Sequence, residues 1–216
     1  MTLKEKAKPG VLPFIFIMIL YFDTETTGLA PGKICQLSYL MQSAEAVAAK
    51  NFFFAVPYVD PGAVAVHGFT PERLFTLSGG ARFDDKIDEI EADFAAADLI
   101  VAHNIAFDLS FLQAEFAAEH RAFAHGEPFC SMRAFTPLCG LKRSDGIRSK
   151  FPKLGELCEF LDLYPYDITR ASAERFGAYA AAHDARYDTV ALYLAMNAAR
   201  GRFAEIGELF DRYTGA

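Results

Sequence analysis

The chain has 216 residues, of which 52% are hydrophobic and 23% are charged, and its formal net charge is −7. This length and composition exclude a disordered or fibrous chain and predict one globular domain with a sizeable core. An acidic total does not attract nucleic acid, so any such contact has to come from a local patch. The four cysteines have no CxxC spacing, and we expect reduced thiols in a cytoplasmic protein that makes no membrane contact.

The N-terminus places three lysines before an apolar run at 11–22. This order also occurs in signal peptides, but the run is too short to span a membrane and no small-residue cleavage site follows it. We expect a short polar leader instead. Met18 offers an alternative start, so we divide the chain into an N-terminal extension, 1–17, that need not be native, and a single domain, 18–216.

Four strands are predicted, interrupted by turns. The segment 15–22 is continuously apolar, which is typical of a central strand buried on both faces. Gly and Pro residues then indicate a turn at 26–32, and Asp-Pro-Gly indicates another. The other segments are strands at 34–41, 51–56 and 98–102, and a turn at 60–62.

Helices are predicted mainly after the third strand, from apolar residues that recur at helical spacing. Because helices and strands alternate after three initial strands, the sequence predicts one mixed α/β sheet with helices packed on it. The predicted helices are 84–96, 105–119, one around 154–161, 183–197 after its first residues, and 205–213.

The segment 133–153 differs from the rest of the chain in charge. It holds six basic residues and one acid, a local charge of +5 that leaves −12 elsewhere. Its glycines and serines predict a loop. Such a loop is either an arm that contacts phosphates or a solvated surface segment, and its composition alone does not decide between the two.

Asp23 and Glu25 follow the first predicted strand directly. Residues two apart in a strand face the same side, so the two carboxylates are expected to lie next to each other. Adjacent carboxylates repel unless a cation lies between them, and oxygen ligands of this kind suit Mg²⁺ or Mn²⁺. The alternative interpretation is an acidic turn that faces solvent.

Two later segments bring further candidate side chains. Asp108 is expected in the first turn of a helix, where an acid can also serve only as a partner of the helix dipole. His183 precedes Asp188 by five residues, so the two can share one edge of the fold. A histidine near a metal-binding carboxylate can act as a general base, although most single histidines are structural.

Together these segments resemble the motifs of the DnaQ-like, or DEDDh, family of 3′–5′ exonucleases. DTETTGL at 23–29 is similar to the first motif and HNIAFDLSFL at 103–112 to the second. HDARYD at 183–188 fits the third pattern, H-x-A-x-x-D, and HGFT at 67–70 is similar to an element between the first two. The resemblance extends over about 18–200.

The resemblance implies an RNase H-like fold with a mixed five-stranded sheet flanked by helices. It implies two divalent ions, Mg²⁺ or Mn²⁺, held by Asp23, Glu25, Asp108 and Asp188, with His183 as the general base. The expected substrate is the 3′ end of a single strand, and the expected product is a nucleoside 5′-monophosphate. Residues expected at the terminal nucleotide are Thr26, Leu29, His67, Asn104 and Phe107; core packing is the alternative for Leu29 and Phe107.

The first motif is most similar to that of the proofreading epsilon subunit of bacterial DNA polymerase III. Oligoribonucleases typically carry Met where this chain has Thr26, which favours DNA, or broad single-strand specificity, as the substrate; with DNA, the resemblance implies a role in DNA repair or proofreading. RNA exonucleases of the ribonuclease T or oligoribonuclease type stay open, as does a catalytically silent nucleic-acid-binding module. Because only 28 residues follow Asp188, we expect a stand-alone enzyme or one that contacts a polymerase or repair complex through another surface.

Two residues of the third motif depart from the expected pattern. Asp184 follows the candidate base directly, where it can raise the pKa of His183 or bind Arg186. Tyr187 is unusual beside the last acid. A structural calcium site is disfavoured, since the acids come from three distant segments without a D-x-D-x-D-G loop.

Overall fold

The computed structural model describes residues 17–213, which form one five-stranded sheet with helices on both faces. The strand order is β3-β2-β1-β4-β5. β1 pairs antiparallel with β2 and parallel with β4, while β2–β3 is antiparallel and β4–β5 is parallel. The sheet is therefore mixed, as predicted. The strands are β1 (Ile19–Thr26), β2 (Ile34–Gln42), β3 (Val47–Phe53), β4 (Leu99–Ala102) and β5 (Glu127–Cys130).

The helices follow the first three strands and cover both faces of the sheet. Within residues 17–213, no helix is long and apolar enough to cross a membrane. All four cysteines are free thiols, as expected. The helices are α1 (Pro61–His67), α2 (Pro71–Ser78), α3 (Ile87–Ala96), α4 (Ile105–Ala118), α5 (Ser131–Cys139), α6 (Leu154–Phe160), α7 (Pro165–Phe176), α8 (Ala185–Arg200) and α9 (Ala204–Asp211).

β1 is the central strand because its side chains enter the core on both faces. Leu20 and Phe22 pack with residues of α3 and α4 on one face. Ile19 and Tyr21 pack with residues of α6 to α9 on the other. An apolar run without alternation is what such a doubly covered strand requires. β1 continues to Thr26, beyond the end predicted at residue 22, because the polar residues from Asp23 onward still pair with β2; they therefore lie on a rigid strand rather than after it.

Several predicted elements are confirmed, and others need correction. β2, β4 and helices α3, α4, α6, α8 and α9 lie within a few residues of their predicted positions. The predicted turn at 60–62 is wrong: Asp60 caps α1, since its carboxylate accepts from the Gly62 N–H at 2.9 Å. The third strand is Val47–Phe53 rather than 51–56, because Phe54 and Val56 enter the core after the strand has ended.

The segment 133–153 is not one loop. Its first part belongs to α5, Ser131–Cys139, and only the part after Gly140 is irregular. Strand β5 and helices α2 and α7 were not predicted; α2 and α7 both begin at a proline, whose fixed φ suits the first helical turn. Of the expected N-terminal extension, residues 1–16 lie outside the described part of the chain, as do the first residues of the strand predicted at 15–22.

Candidate active site

Three carboxylates meet where β1 ends and α8 begins. Asp23 and Glu25 lie on β1 with one residue between them, so both face the same side of the sheet. Asp188 lies in the first turn of α8, which packs against β1. One oxygen from each of the three side chains lies within 4.8 Å of the others. Segments 163 residues apart in the chain thus form one group of oxygen ligands.

Asp108 reaches the same strand from the opposite side. It lies in the first turn of α4, is buried, and its Oδ1 accepts from the Thr24 hydroxyl at 2.7 Å and from the Thr24 N–H at 3.2 Å. Thr24 is the residue between Asp23 and Glu25. Asp108 therefore lies next to the group of three carboxylates without belonging to it, and its two hydrogen bonds attach α4 to β1.

Burial makes ionisation of all four carboxylates unfavourable, and the neighbouring acids add to this effect at Asp23 and Glu25. Burial and then the charge of Asp188 raise the pKa of Glu25 to about 9, and burial with the other acids raises that of Asp23 well above its usual range. Burial raises the pKa of Asp108 and of Asp188 to about 7, although hydrogen bonds to each oppose the rise. Within residues 17–213, none of the four forms an ion pair with Lys or Arg.

This donor set fits a divalent metal ion. The ligand atoms are hard carboxylate oxygens, which suit Mg²⁺ or Mn²⁺ rather than softer ions. Burial and the neighbouring acids raise the pKa values of these carboxyl groups, and a bound cation would favour their charged forms and displace the protons. Asp23, Glu25 and Asp188 are the residues that would hold the ion, with Asp108 close enough to raise the pKa of Asp23.

His183 is exposed and lies just before α8, in the left-handed backbone region with φ 66°. Its N–H donates to Asp188 Oδ2 at 3.0 Å. This hydrogen bond attaches the turn that contains His183 to the Asp188 carboxylate. A left-handed conformation strains a residue with a Cβ, so the surrounding turn has to hold it in place.

Asp184 has a partner other than His183. Its two oxygens accept from Arg186 Nε at 2.9 Å and Nη2 at 2.6 Å, and Oδ1 also accepts from Gln36 Nε2 at 2.9 Å. Burial disfavours the charged carboxylate, yet these hydrogen bonds hold the pKa of Asp184 below its usual range. Asp184 also caps α8 through the Arg186 N–H. The residue that departs from the expected motif therefore helps position α8.

Gln36 joins this ion pair to the sheet, a role that the sequence did not reveal. Its Oε1 accepts from the Ala185 N–H at 3.1 Å, and its Nε2 donates to Asn51 as well as to Asp184. Gln36 is fully buried on β2. A buried glutamine in an apolar strand is a signal of such a network. Tyr187, the other departure, is buried among core residues and also borders the cleft described below.

His67 lies beside the end of β1. Its Nδ1 accepts from the Phe69 N–H at 3.0 Å, so the proton of the neutral ring is on Nε2, which lies 3.2 Å from the Thr26 carbonyl oxygen. Burial and the nearby His183 lower the pKa of His67. Thr26 and His67, which come from separate motifs, are therefore in direct contact, and His67 stays neutral at physiological pH.

The other three expected substrate residues surround the same strand end. Leu29 is 92% exposed in the loop after β1, which excludes core packing for it. Asn104 is exposed, precedes α4 in the left-handed region with φ 72°, and makes no capping hydrogen bond. Phe107 is partly buried and packs against Phe111 at a ring separation of 4.9 Å, so core packing accounts for part of that ring.

A cleft of about 1050 Å³ opens beside the carboxylates. Asp23, His183 and Asp188 line one part of it, and Lys153 and Tyr164 line another. Of the described residues that line this cleft, Lys153 alone carries a permanent positive charge. The sequence did not predict Lys153 or Tyr164 as cleft residues. They precede α6 and α7, and only the packing of these helices brings them to the cleft.

No protein-family profile matches the chain. No curated protein matches it either. Solved structures of exonuclease I do: a product-bound form is 16% identical with a TM-score of 0.69, and E. coli exonuclease I in complex with a dA16 oligonucleotide is 17% identical with a TM-score of 0.70. The zinc-bound form of an E. coli exonuclease I–single-stranded DNA complex is 19% identical with a TM-score of 0.67.

These alignments include 89–90% of this chain but only 42–46% of exonuclease I, so the chain spans less than half the length of those proteins. At this identity the likeness establishes the fold. The specific resemblance to the epsilon subunit stays a prediction. The mixed five-stranded sheet flanked by helices superposes on the exonuclease I structures, and the chain therefore has the predicted RNase H-like fold.

Proposed function

We propose that the chain is a metal-dependent 3′–5′ exonuclease that hydrolyses the terminal phosphodiester bond of single-stranded DNA. One observation carries the proposal: Asp23, Glu25 and Asp188 converge within 4.8 Å at the end of the central strand, and no Lys or Arg among the described residues neutralises them. Buried carboxylates that lack a cation form a site for a divalent ion, and a phosphodiester is a substrate whose negative charge such an ion can offset.

A divalent ion at this site would supply a polarised water and would offset the charge that develops on the phosphate. Asp23, Glu25 and Asp188 would hold it, and a second ion would require Asp108. The Thr24 hydroxyl and N–H keep Asp108 ionisable and in place. The divalent ion held by these acidic residues would thus let an acidic protein bind a polyanion at one defined point.

His183 would accept the proton of the attacking water. It lies at the edge of the cleft, is exposed, and is attached to Asp188 through its own N–H. Imidazole is a common general base in hydrolytic reactions at neutral pH. The Asp184–Arg186 ion pair and the Asp184 cap hold the start of α8, which keeps His183 next to Asp188.

The residues around the strand end would hold the terminal nucleotide. Leu29 presents an exposed apolar surface, and Asn104 offers an amide without an intramolecular capping bond. Neutral His67 and Thr26 complete the wall next to the carboxylates. Apolar contacts of this kind tolerate any base. The solved structures with this fold include exonuclease I in complex with dA16 and dT13 oligonucleotides, which supports DNA as the substrate.

The test is a nuclease assay on 5′-labelled DNA and RNA strands with Mg²⁺, with Mn²⁺ and with EDTA. We expect a ladder of products shortened from the 3′ end of DNA, dependent on metal and reduced at least 10³-fold in Asp23→Asn. Asp167→Asn, at a partly exposed position of α7 that does not line the cleft, is the matched control and should keep wild-type activity. A ladder confined to RNA would overturn the DNA assignment. Binding without shortening would instead indicate a nucleic-acid-binding module.

A further inference from the structure

The irregular segment after α5 is an ordered hairpin. Lys142 and Ser149 form an antiparallel bridge, and the Arg143 N–H donates to the Arg148 carbonyl at 2.9 Å. The turn is closed by Asp145, whose Oδ1 accepts from the N–H groups of Ile147 and Arg148 at 3.0 Å each. A segment with this many internal hydrogen bonds has a defined shape before it meets any partner.

The hairpin and the residues that follow it are strongly basic. Residues 142–149 are all exposed, and Asp145 is the one acid in 140–153 against five cations, a local charge of +4. Arg148 pairs with Asp145 and Lys150 with Glu156, whereas the others form no ion pair within residues 17–213. The five cations are Lys142, Arg143, Arg148, Lys150 and Lys153.

His103 attaches the end of this segment to the active-site sheet. It follows β4 directly, and its Nε2 lies 2.9 Å from the Pro152 carbonyl oxygen. Its Nδ1 lies 2.9 Å from the Ser131 hydroxyl at the start of α5. Because a carbonyl oxygen only accepts, Nε2 carries the proton in the first contact. The histidine thus holds both ends of the α5–hairpin unit against β4.

The basic segment leads directly into the cleft. Lys153 lines the cleft together with Asp23 and Asp188, and it follows Lys150, the last residue of the hairpin, by three positions. Tyr164 lines the same cleft and is 64% exposed, so one face of its ring is accessible. A basic segment combined with an accessible aromatic ring in one cleft is a pattern that binds single-stranded nucleic acid, with phosphates on the cations and a base on the ring.

We propose that the hairpin 141–150, with Lys153 and Tyr164 in the cleft, binds the part of a single strand upstream of the bond that is cut. This assignment rests on the proposed function. It defines the substrate class as strands of several nucleotides, because Lys142 and Arg143 do not line the cleft and only a strand that extends beyond the cleft would reach them. The hairpin affects binding of long strands and leaves the chemical step unchanged.

The test compares strands of three and twelve nucleotides in wild type and in the double variant Lys142→Ala/Arg143→Ala. Fluorescence anisotropy in EDTA measures binding without hydrolysis, over a range of salt. We expect the variant to bind the twelve-nucleotide strand about tenfold more weakly. The slope of log affinity against log salt should fall by about 1.4, which corresponds to two lost phosphate contacts. With Mg²⁺, KM for the long strand should rise while kcat, and all parameters for the trinucleotide, stay at wild-type values.

The matched control is Arg82→Ala/Lys86→Ala, which also removes two charges but lies outside the cleft, around the 3₁₀ turn before α3. It should bind the long strand like wild type. Equal weakening in both double variants, or an unchanged affinity and salt slope in the hairpin variant, would overturn the proposal. If wild type shortens no strand at all, the proposed function fails, while a difference in binding between the two variants would still support the hairpin as the strand-binding element.

Discussion

Replacing Glu25 with Gln should stabilise the metal-free protein while removing its response to metal. Burial and neighbouring acids raise the pKa of Glu25 to about 9, whereas an unfolded glutamate ionises near its usual value of 4.5. Between these values the folded state keeps a proton that the unfolded state releases. The stability of the metal-free wild type should therefore fall as the pH rises from about 4.5 to 9, and a glutamine cannot contribute to this loss.

The size of the effect follows from the same shift. At 1.36 kcal/mol per pKa unit, the difference at pH 8 is at most about 5 kcal/mol. Protonation of the neighbouring acids and partial hydration reduce it, and we expect roughly 1–3 kcal/mol. For a chain of this length each kcal/mol changes the melting temperature by about 2–4 °C, so Glu25→Gln should melt about 2–12 °C above wild type at pH 8 without metal.

Thermal unfolding followed by circular dichroism measures this difference at pH 5 and pH 8, in EDTA and in Mg²⁺ or Mn²⁺. Metal at 100 times its dissociation constant should stabilise wild type by about 2.7 kcal/mol, and the variant far less. Glu174→Gln, an exposed glutamate on α7, serves as the control and should match wild type throughout. A Glu25→Gln variant that melts below wild type at pH 8 in EDTA would contradict the raised pKa of Glu25. A variant whose melting temperature rises as much as that of wild type on adding metal would contradict its role as a metal ligand.

Three further substitutions test single contacts. Thr24→Val removes the hydroxyl that donates to Asp108 and should lower the free energy of unfolding by about 1.5–3 kcal/mol in urea, with loss of activity. Thr24→Ser should keep both the stability and the activity of wild type. Equal behaviour of the two variants would contradict the role given to Asp108. Arg186→Met leaves Asp184 buried without its ion-pair partner and should lower the melting temperature by about 5–15 °C. The double variant Asp184→Asn/Arg186→Met should recover most of this loss. No recovery would show that the loss does not come from the unpaired Asp184 carboxylate. His67→Leu should raise KM more than kcat falls in steady-state assays; an unchanged KM would remove it from the nucleotide wall.

Short-range patterns predicted much of the fold. The first half of β1, Ile19 to Phe22, is continuously apolar because both of its faces are covered, and α4 shows helical spacing because one of its sides is buried. β5 has no such pattern, since it is a four-residue edge strand with a proline and an exposed start. The third strand was misplaced because Phe54 is as apolar as the strand residues but packs from the following loop.

The candidate site was predictable where residues close in sequence share an element. Asp23 and Glu25 follow from the alternation of a strand, and the motif resemblance added Asp108, His183 and Asp188. Contacts made only by folding were not predictable. Gln36 meets residue 184 across 148 positions, and His103 reaches a carbonyl 49 positions away, so neither partner is visible in any local pattern.

The central claim is that water attacks the terminal phosphorus at the Asp23–Glu25–Asp188 site. The most direct measurement is mass spectrometry of the products from a twelve-nucleotide DNA strand incubated with Mg²⁺ in ¹⁸O-water. Wild type is expected to release nucleoside 5′-monophosphates from the 3′ end, each with one ¹⁸O in the phosphate, and Asp23→Asn is expected to release none. Internal fragments, mononucleotides without ¹⁸O, or equal product from the variant would contradict the central claim.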